Sequence, residues 1–180
     1  MDLQVDGKAY MIAGASKGLG FAVARCLAAE GAAVSLASRD AEAVARAAQE
    51  LAASSRGSAM GTPCDVRDCA QLAAWTEATV ARFGRLDGLL VNAGGPPPGR
   101  FDGFDDAAWQ GAFELTLLSA VRMVRFALPH LRVNGGAVLV LTSSTIREPV
   151  ENLLLSNVMR AGVTSLAKSL SRELAADGIR

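Results

Sequence analysis

Ala13-Gly14-Ala15-Ser16-Lys17-Gly18-Leu19-Gly20 decides the reading of this chain. An apolar run, Ala9-Tyr10-Met11-Ile12, leads into it, and a helical pattern from Phe21 to Glu30 follows. A glycine-rich turn between a first strand and a first helix is a place where a nucleotide pyrophosphate can sit. Glycine reaches backbone conformations closed to other residues and carries no Cβ to block a phosphate. The next helix offers unpaired N–H groups and the positive end of its dipole. The spacing here is G-x-x-x-G-x-G rather than the common G-x-G-x-x-G fingerprint. Spaced glycines alone are a weak signal, and their place on a strand–turn–helix gives them weight.

Outward from that turn, strand and helix signals alternate without a break. Ala33-Val34-Ser35-Leu36-Ala37 ends at Ser38-Arg39, and a third apolar stretch ends at Cys64-Asp65-Val66. Leu86–Val91 runs into Asn92-Ala93-Gly94, and Ala137–Leu141 runs into Thr142-Ser143-Ser144. Helical patterns cover about 18–30, 40–54, 68–83, 105–131 and 153–176, with Asp68 as a cap and Gly84 as a stop. Three consecutive prolines, Pro96 to Pro98, forbid helix after the fourth strand. The fourth helix carries Trp109, Phe113, Leu117, Val121, Val124, Leu128 and Leu131 at helical spacing. The fifth carries Leu155, Met159, Val163, Leu166, Leu170 and Leu174 in the same way. Alternation of this kind predicts an α/β fold built on a doubly wound parallel sheet.

Composition narrows the function classes. The 18 basic and 18 acidic residues cancel, so no general attraction to nucleic acid or an anionic membrane is expected. No segment approaches a membrane span and no signal-type leader opens the chain, so a cytoplasmic protein is expected. Cys26, Cys64 and Cys69 lack metal-ligand spacing and read as reduced, mostly buried residues. The single His130 cannot supply a metal cluster, and no metal site is expected.

The glycine turn, Asn92-Ala93-Gly94 and the Ser143-Ser144 pair, in that order at strand ends, resemble the short-chain dehydrogenase/reductase family over residues 6–180. The resemblance implies a single Rossmann-like domain over 1–180, three layers deep, holding the first five strands of the family sheet. In the family a sixth strand begins where Asp177-Gly178-Ile179-Arg180 stand, followed by a substrate-covering segment and a seventh strand. A C-terminally truncated chain is therefore expected, with the sheet edge beside strand five left unpaired. The implied function is an NAD(P)-dependent oxidoreductase acting on a small carbonyl/alcohol pair. A homodimer or homotetramer through the apolar faces of the fourth and fifth helices is implied as well.

For the cofactor, the resemblance brings together Gly14, Ser16, Lys17, Gly18, Leu19 and Gly20 in the turn. It adds Ser38 and Arg39 after strand two, Asp65 and Val66 beside the adenine, and Asn92, Ala93 and Gly94 beside the ribose. Dehydrogenases that prefer NAD place a carboxylate after strand two. A hydroxyl and a guanidinium stand there instead, which suits a 2′-phosphate, and Lys17 adds charge. NADP is expected over NAD. The alternative is a solvated Arg39 paired with Asp40 or Glu42.

The catalytic positions depart from the family. Ser144 aligns with the family serine, with Ser143 as runner-up. Ser156 stands where the tyrosine belongs, Arg160 where the lysine belongs, and Thr116 at the asparagine position. The one tyrosine, Tyr10, lies inside strand one. Ser156 and Arg160 share a helix face at i, i+4, but arginine does not release its proton and serine barely ionises. Arg160 can instead stabilise a developing negative charge. Proton delivery is therefore expected to be atypical, and the competing readings are an inactive NADP-binding protein or an oligomer subunit. The plain alternatives are an Arg160 paired with Glu151 and a Ser156 bonded to backbone.

Overall fold

The computed structural model describes residues 3–180. Five parallel strands, β1 (Ala9–Ala13), β2 (Ala33–Ser38), β3 (Ala59–Pro63), β4 (Gly88–Val91) and β5 (Ala137–Val140), lie in the order β3-β2-β1-β4-β5. The order reverses between β1 and β4, which opens a crevice beyond the carboxyl ends of those strands. Pro63 is tolerated because β3 is an edge strand. Side chains alternate between two buried faces, as a sheet covered on both sides requires. Met11, Leu89 and Val91 face one core, while Ile12 and Leu90 face the other.

Helices α1 (Gly18–Ala29) and α2 (Ala41–Ser54) cover one face of the sheet. On the other lie α3 (Cys69–Phe83), α5 (Ser119–Asn134) and α6 (Leu154–Glu173). Asp40 caps α2 by accepting the Ala43 N–H at 2.9 Å. Asp68 caps α3 by accepting from Ala70 and Gln71 at 2.9 and 3.1 Å. The core under α3 carries a polar knot in which the Trp75 indole donates to Ser35 at 2.8 Å, and Ser35 meets Thr79 at 2.7 Å.

Several expectations need correction. The fourth predicted helix is a composite of α4 (Asp106–Ala112), a π-helical segment (Phe113–Leu118) and α5, which runs past Pro129 to Asn134. Leu86 and Asp87 precede β4 rather than belong to it, and Asp87 adds a side-chain link to β1. Its N–H donates to Ala9 O at 2.8 Å, its Oδ2 accepts the Ala9 N–H at 2.9 Å, and Arg85 holds its other oxygen at 2.6 Å. The open edge of β5 is not left bare: Val138 N–H donates to Arg180 O at 2.9 Å and Arg180 N–H to Gly136 O at 3.1 Å. The last residues therefore pair in parallel with β5, and Gly136 bridges Ile179.

The apolar stripes of the fourth and fifth predicted helices, expected to form an oligomer interface, are buried within the chain in part, with Leu117, Leu128, Leu166 and Leu170 only partly covered. Val124, Leu131, Leu155, Met159 and Val163 are buried against the sheet and neighbouring helices. The large apolar residues that α5 and α6 leave exposed are Val133 and Val158.

The cysteines also differ from expectation, because Cys26 and Cys69 are exposed and only Cys64 is buried. Burial, with Asp65 and Asp68 nearby, pushes the Cys64 thiol up to about 11. At pH 8 it therefore stays a neutral, poorly nucleophilic thiol. A disulfide reagent at pH 8 should titrate two thiols quickly in the native protein and the third only on unfolding. Three fast equivalents would contradict this.

Candidate active site

The glycine turn is shaped by two close approaches. Gly14 takes φ +60°, and a Cβ there would lie 2.7 Å from the Asn92 amide nitrogen. A Cβ on Gly20 would lie 2.5 Å from Gly14 O, so α1 can enter this close to the turn only with glycine. Asn92 Nδ2 donates to Ala13 O at 3.2 Å and to Gly14 O at 3.4 Å, tying the end of β4 to the end of β1. Ala15 N–H is held by Ala37 O at 3.1 Å, and Ser16 Oγ donates to Ser38 Oγ at 3.0 Å.

Beyond this frame the turn is open. Lys17, Gly18 and Leu19 are exposed, and a Cβ added at Gly18, Gly94 or Gly95 would meet no atom of the described residues within 4 Å. No side chain caps the N-terminus of α1, and its first turn holds no acidic residue. A helix start of this kind leaves its first N–H groups without intrahelical partners, as a bound pyrophosphate requires. The cradle fits a dinucleotide in shape and donor chemistry.

Just past the carboxyl end of β2, Arg39 makes no hydrogen bond or ion pair among the described residues. The expected alternatives do not occur, since Asp40 caps α2 and Glu42 pairs with Arg46 at 3.3 Å. Cys64 N–H donates to Ser38 O at 2.9 Å, which sets Arg39 beside Asp65 at the ends of adjacent strands. Asp65 is bound by Arg67, whose Nη2 lies 2.7 Å from Oδ2. Its carboxyl is held below the usual carboxylate range first by the Arg67 hydrogen bond, with Arg39 adding a smaller pull. Val66 is buried, and Ala93 packs against the main core. Sequence reasoning did not single out Arg67, although the Asp-x-Arg spacing was the available signal.

At the other end of the crevice, Arg160 Nε donates to Ser156 Oγ at 3.2 Å, so the i, i+4 pair forms. Its Nη1 donates to Leu141 O at 3.2 Å and Thr142 O at 3.4 Å, anchoring the guanidinium to the end of β5. Glu151 does not neutralise it and pairs instead with Arg100 at 3.5 Å. Arg160 is half-buried, and burial lowers its pKa from the ordinary arginine value. It lines a small pocket with Asn92, Thr116 and Leu141. Thr116 sits in the π-helical segment, and its hydroxyl is buried with no partner among the described residues.

Ser144 opens a short turn (Ser144–Ile146) packed against α6, and it is exposed. Ser143 turns its hydroxyl to the Thr145 N–H at 3.2 Å and is occupied by that role. Ser144 and the Ser156–Arg160 pair thus flank the same strand end without being hydrogen-bonded to each other.

The family model described as enoyl-(acyl carrier protein) reductase matches residues 14–180, taking in the cradle, β5 and α6. The chain belongs to the short-chain dehydrogenase/reductase family. An uncharacterized short-chain type dehydrogenase/reductase of Sinorhizobium fredii is 30% identical over 97% of this chain and 71% of its own length. Ketoacyl reductase HetN of Nostoc is 31% identical over 96% of this chain, which spans only 60% of that protein. Among solved structures, L-sorbose reductase from Gluconobacter frateurii, in complex with NADPH and L-sorbose, superposes with a TM-score of 0.96. It is 31% identical, with 100% of this chain and 69% of that one covered. A 7α-hydroxysteroid dehydrogenase solved with NADH and 7-oxo glycochenodeoxycholic acid gives a TM-score of 0.92 at 28% identity, covering 99% and 70% of the two chains. Short-chain dehydrogenase/reductase structures with either dinucleotide thus share this fold. No helix of the described residues is long and apolar enough to cross a membrane.

Proposed function

We propose that the protein is an NADP(H)-dependent oxidoreductase acting on a carbonyl/alcohol pair, with Ser144 and Arg160 polarising the carbonyl. The observation that carries this reading is Arg160: a half-buried cation, anchored at the end of β5, that no carboxylate among the described residues neutralises. A fixed positive charge in a partly dry site favours negative charge developing on a substrate oxygen. The nicotinamide, when bound, supplies the hydride. Gly14, Gly18 and Gly20 shape the pyrophosphate cradle, and Leu19 and Ser16 line it. Asp65 and Val66 frame the adenine, while Asn92, Ala93 and Gly94 lie against the ribose. Ser156 orients the guanidinium through its 3.2 Å bond. Neither Ser156 nor Arg160 gives up a proton near neutral pH, so water supplies it to the oxygen.

The NADP preference rests on Arg39, unpaired and exposed, with Lys17 on the same rim. Charge-assisted contacts contribute about 1.5–3 kcal/mol each. NADPH is therefore expected to bind at least about tenfold more tightly than NADH, and Arg39→Ala should remove most of that difference. Titration of nucleotide fluorescence measures both constants. Equal affinities in the unaltered protein, or a preference that survives Arg39→Ala, would end the NADP assignment.

A second reading, a nucleotide-binding protein without turnover, is favoured by one observation. The tyrosine position holds Ser156, and Tyr10 lies within β1 with its ring against Gly88 at the start of β4, at the opposite ends of the strands from Ser156 and Arg160. A protein that binds NADPH yet reduces no aldehyde, ketone, imine or enone would be of this kind.

A further inference from the structure

We propose that Arg67 is a positioning residue for dinucleotide choice: by holding the Asp65 carboxylate it keeps Arg39 free to receive a 2′-phosphate. The inference rests on the NADP reading of Arg39 given above. Asp65 stands in an awkward place for such a site. The Cys64–Ser38 backbone bond of 2.9 Å brings the ends of β2 and β3 together, so a carboxylate and Arg39 are neighbours there. Left to itself, Asp65 would pair with Arg39 and repel a phosphate dianion. An unopposed carboxylate at this corner is also the chemistry that suits a ribose diol.

The structure shows that carboxylate already engaged. Arg67 Nε donates to Oδ1 at 3.1 Å and to Oδ2 at 3.2 Å, Nη2 donates to Oδ2 at 2.7 Å, and the Arg67 N–H donates to Oδ1 at 3.0 Å. Planar guanidinium against carboxylate is the strongest form of ion pairing. The segment is fixed from outside as well. Arg122 Nη1 donates to Arg67 O at 2.6 Å, Asp65 N–H donates to Gln71 Oε1 at 2.8 Å, and Gln71 Nε2 returns to the cap Asp68 at 2.9 Å. The Arg67 guanidinium thus cannot drift toward the phosphate without giving up its three contacts to Asp65. Arg39, in contrast, has no partner among the described residues. Of the three charges at this corner, two cancel and one is left for the ligand.

The test is the ratio of NADH to NADPH dissociation constants, read by nucleotide fluorescence in the unaltered protein and in four variants. Any contact of Asp65 with the adenine affects both nucleotides alike and drops out of the ratio. Arg67→Ala should lower the preference for NADPH about three- to tenfold, the size expected for two unit charges about 4 Å apart in a water-like dielectric. Asp65→Asn should keep or raise the preference. The double variant Asp65→Asn/Arg67→Ala should recover it to at least the unaltered value. If the double variant stays as low as Arg67→Ala, Arg67 touches the phosphate itself and the positioning role is wrong. An unchanged ratio in Arg67→Ala, with Arg39→Ala still abolishing the preference, overturns the inference while sparing the NADP reading. An unchanged ratio in Arg39→Ala overturns both.

Discussion

Replacing Arg160 with methionine is expected to lower turnover of a carbonyl substrate by about 10²–10³, the usual cost of losing one oxyanion-stabilising donor. NADPH affinity should stay within about twofold, because the guanidinium is anchored on Leu141 and Thr142, away from the adenosine end. Methionine keeps the stem length and the apolar packing, so the loss would report charge rather than a cavity. Ser144→Ala should fall by a similar factor, again with NADPH binding preserved. The pH profile is diagnostic too. Arginine stays protonated at every working pH, so no change in rate between about pH 6 and 9 should trace to residue 160. Near-normal rates in both variants on a confirmed substrate would refute the site assignment.

Asp87→Ala should destabilise the fold by about 2–4 kcal/mol. The side chain is buried, and its removal leaves the Ala9 N–H without an acceptor and Arg85 without its partner. An orphaned buried donor costs about 1–3 kcal/mol, more where a charge is involved. Asp87→Asn should cost less, since the amide oxygen can still accept from Ala9. Urea unfolding with an unchanged m-value measures both. A loss under about 1 kcal/mol for the alanine variant would mean that water replaces the carboxylate at the base of β1 and β4.

The doubly wound sheet was legible because its signals are local. Period-two burial in Met11, Ile12 and Ala13, and caps such as Asp68, follow from neighbours a few residues apart. The glycine turn was legible for the same reason, since Gly14 takes a positive φ and Gly20 abuts Gly14 O within one strand–turn–helix, although the close approach of Asn92 to Gly14 comes from β4. What escaped depends on distant partners. The apolar periodicity of α6 is the same whether the stripe meets a sheet or a second subunit, so the sequence could not show that Leu155 and Met159 face inward. The freedom of Arg39 depends on Glu42 choosing Arg46, and that of Arg160 on Glu151 choosing Arg100. The π-helical segment left no trace either, because Trp109, Phe113, Leu117 and Val121 keep helical spacing straight through it.

That segment, Phe113–Leu118, bears on how this region can change over evolutionary time. Each π turn holds one residue more than an α turn, and each residue advances a helix by about 100°. The orientation of α4 relative to α5 is therefore set by residue number as well as residue type. Replacing letters within the segment alters what lines the crevice. Losing one letter would swing Trp109 and Ala112 about the helix axis, away from Leu155 and Met159, while the seam of α5 on the sheet stayed in register. Lineages carrying this fold are thus freer to rewrite these six positions than to shorten them.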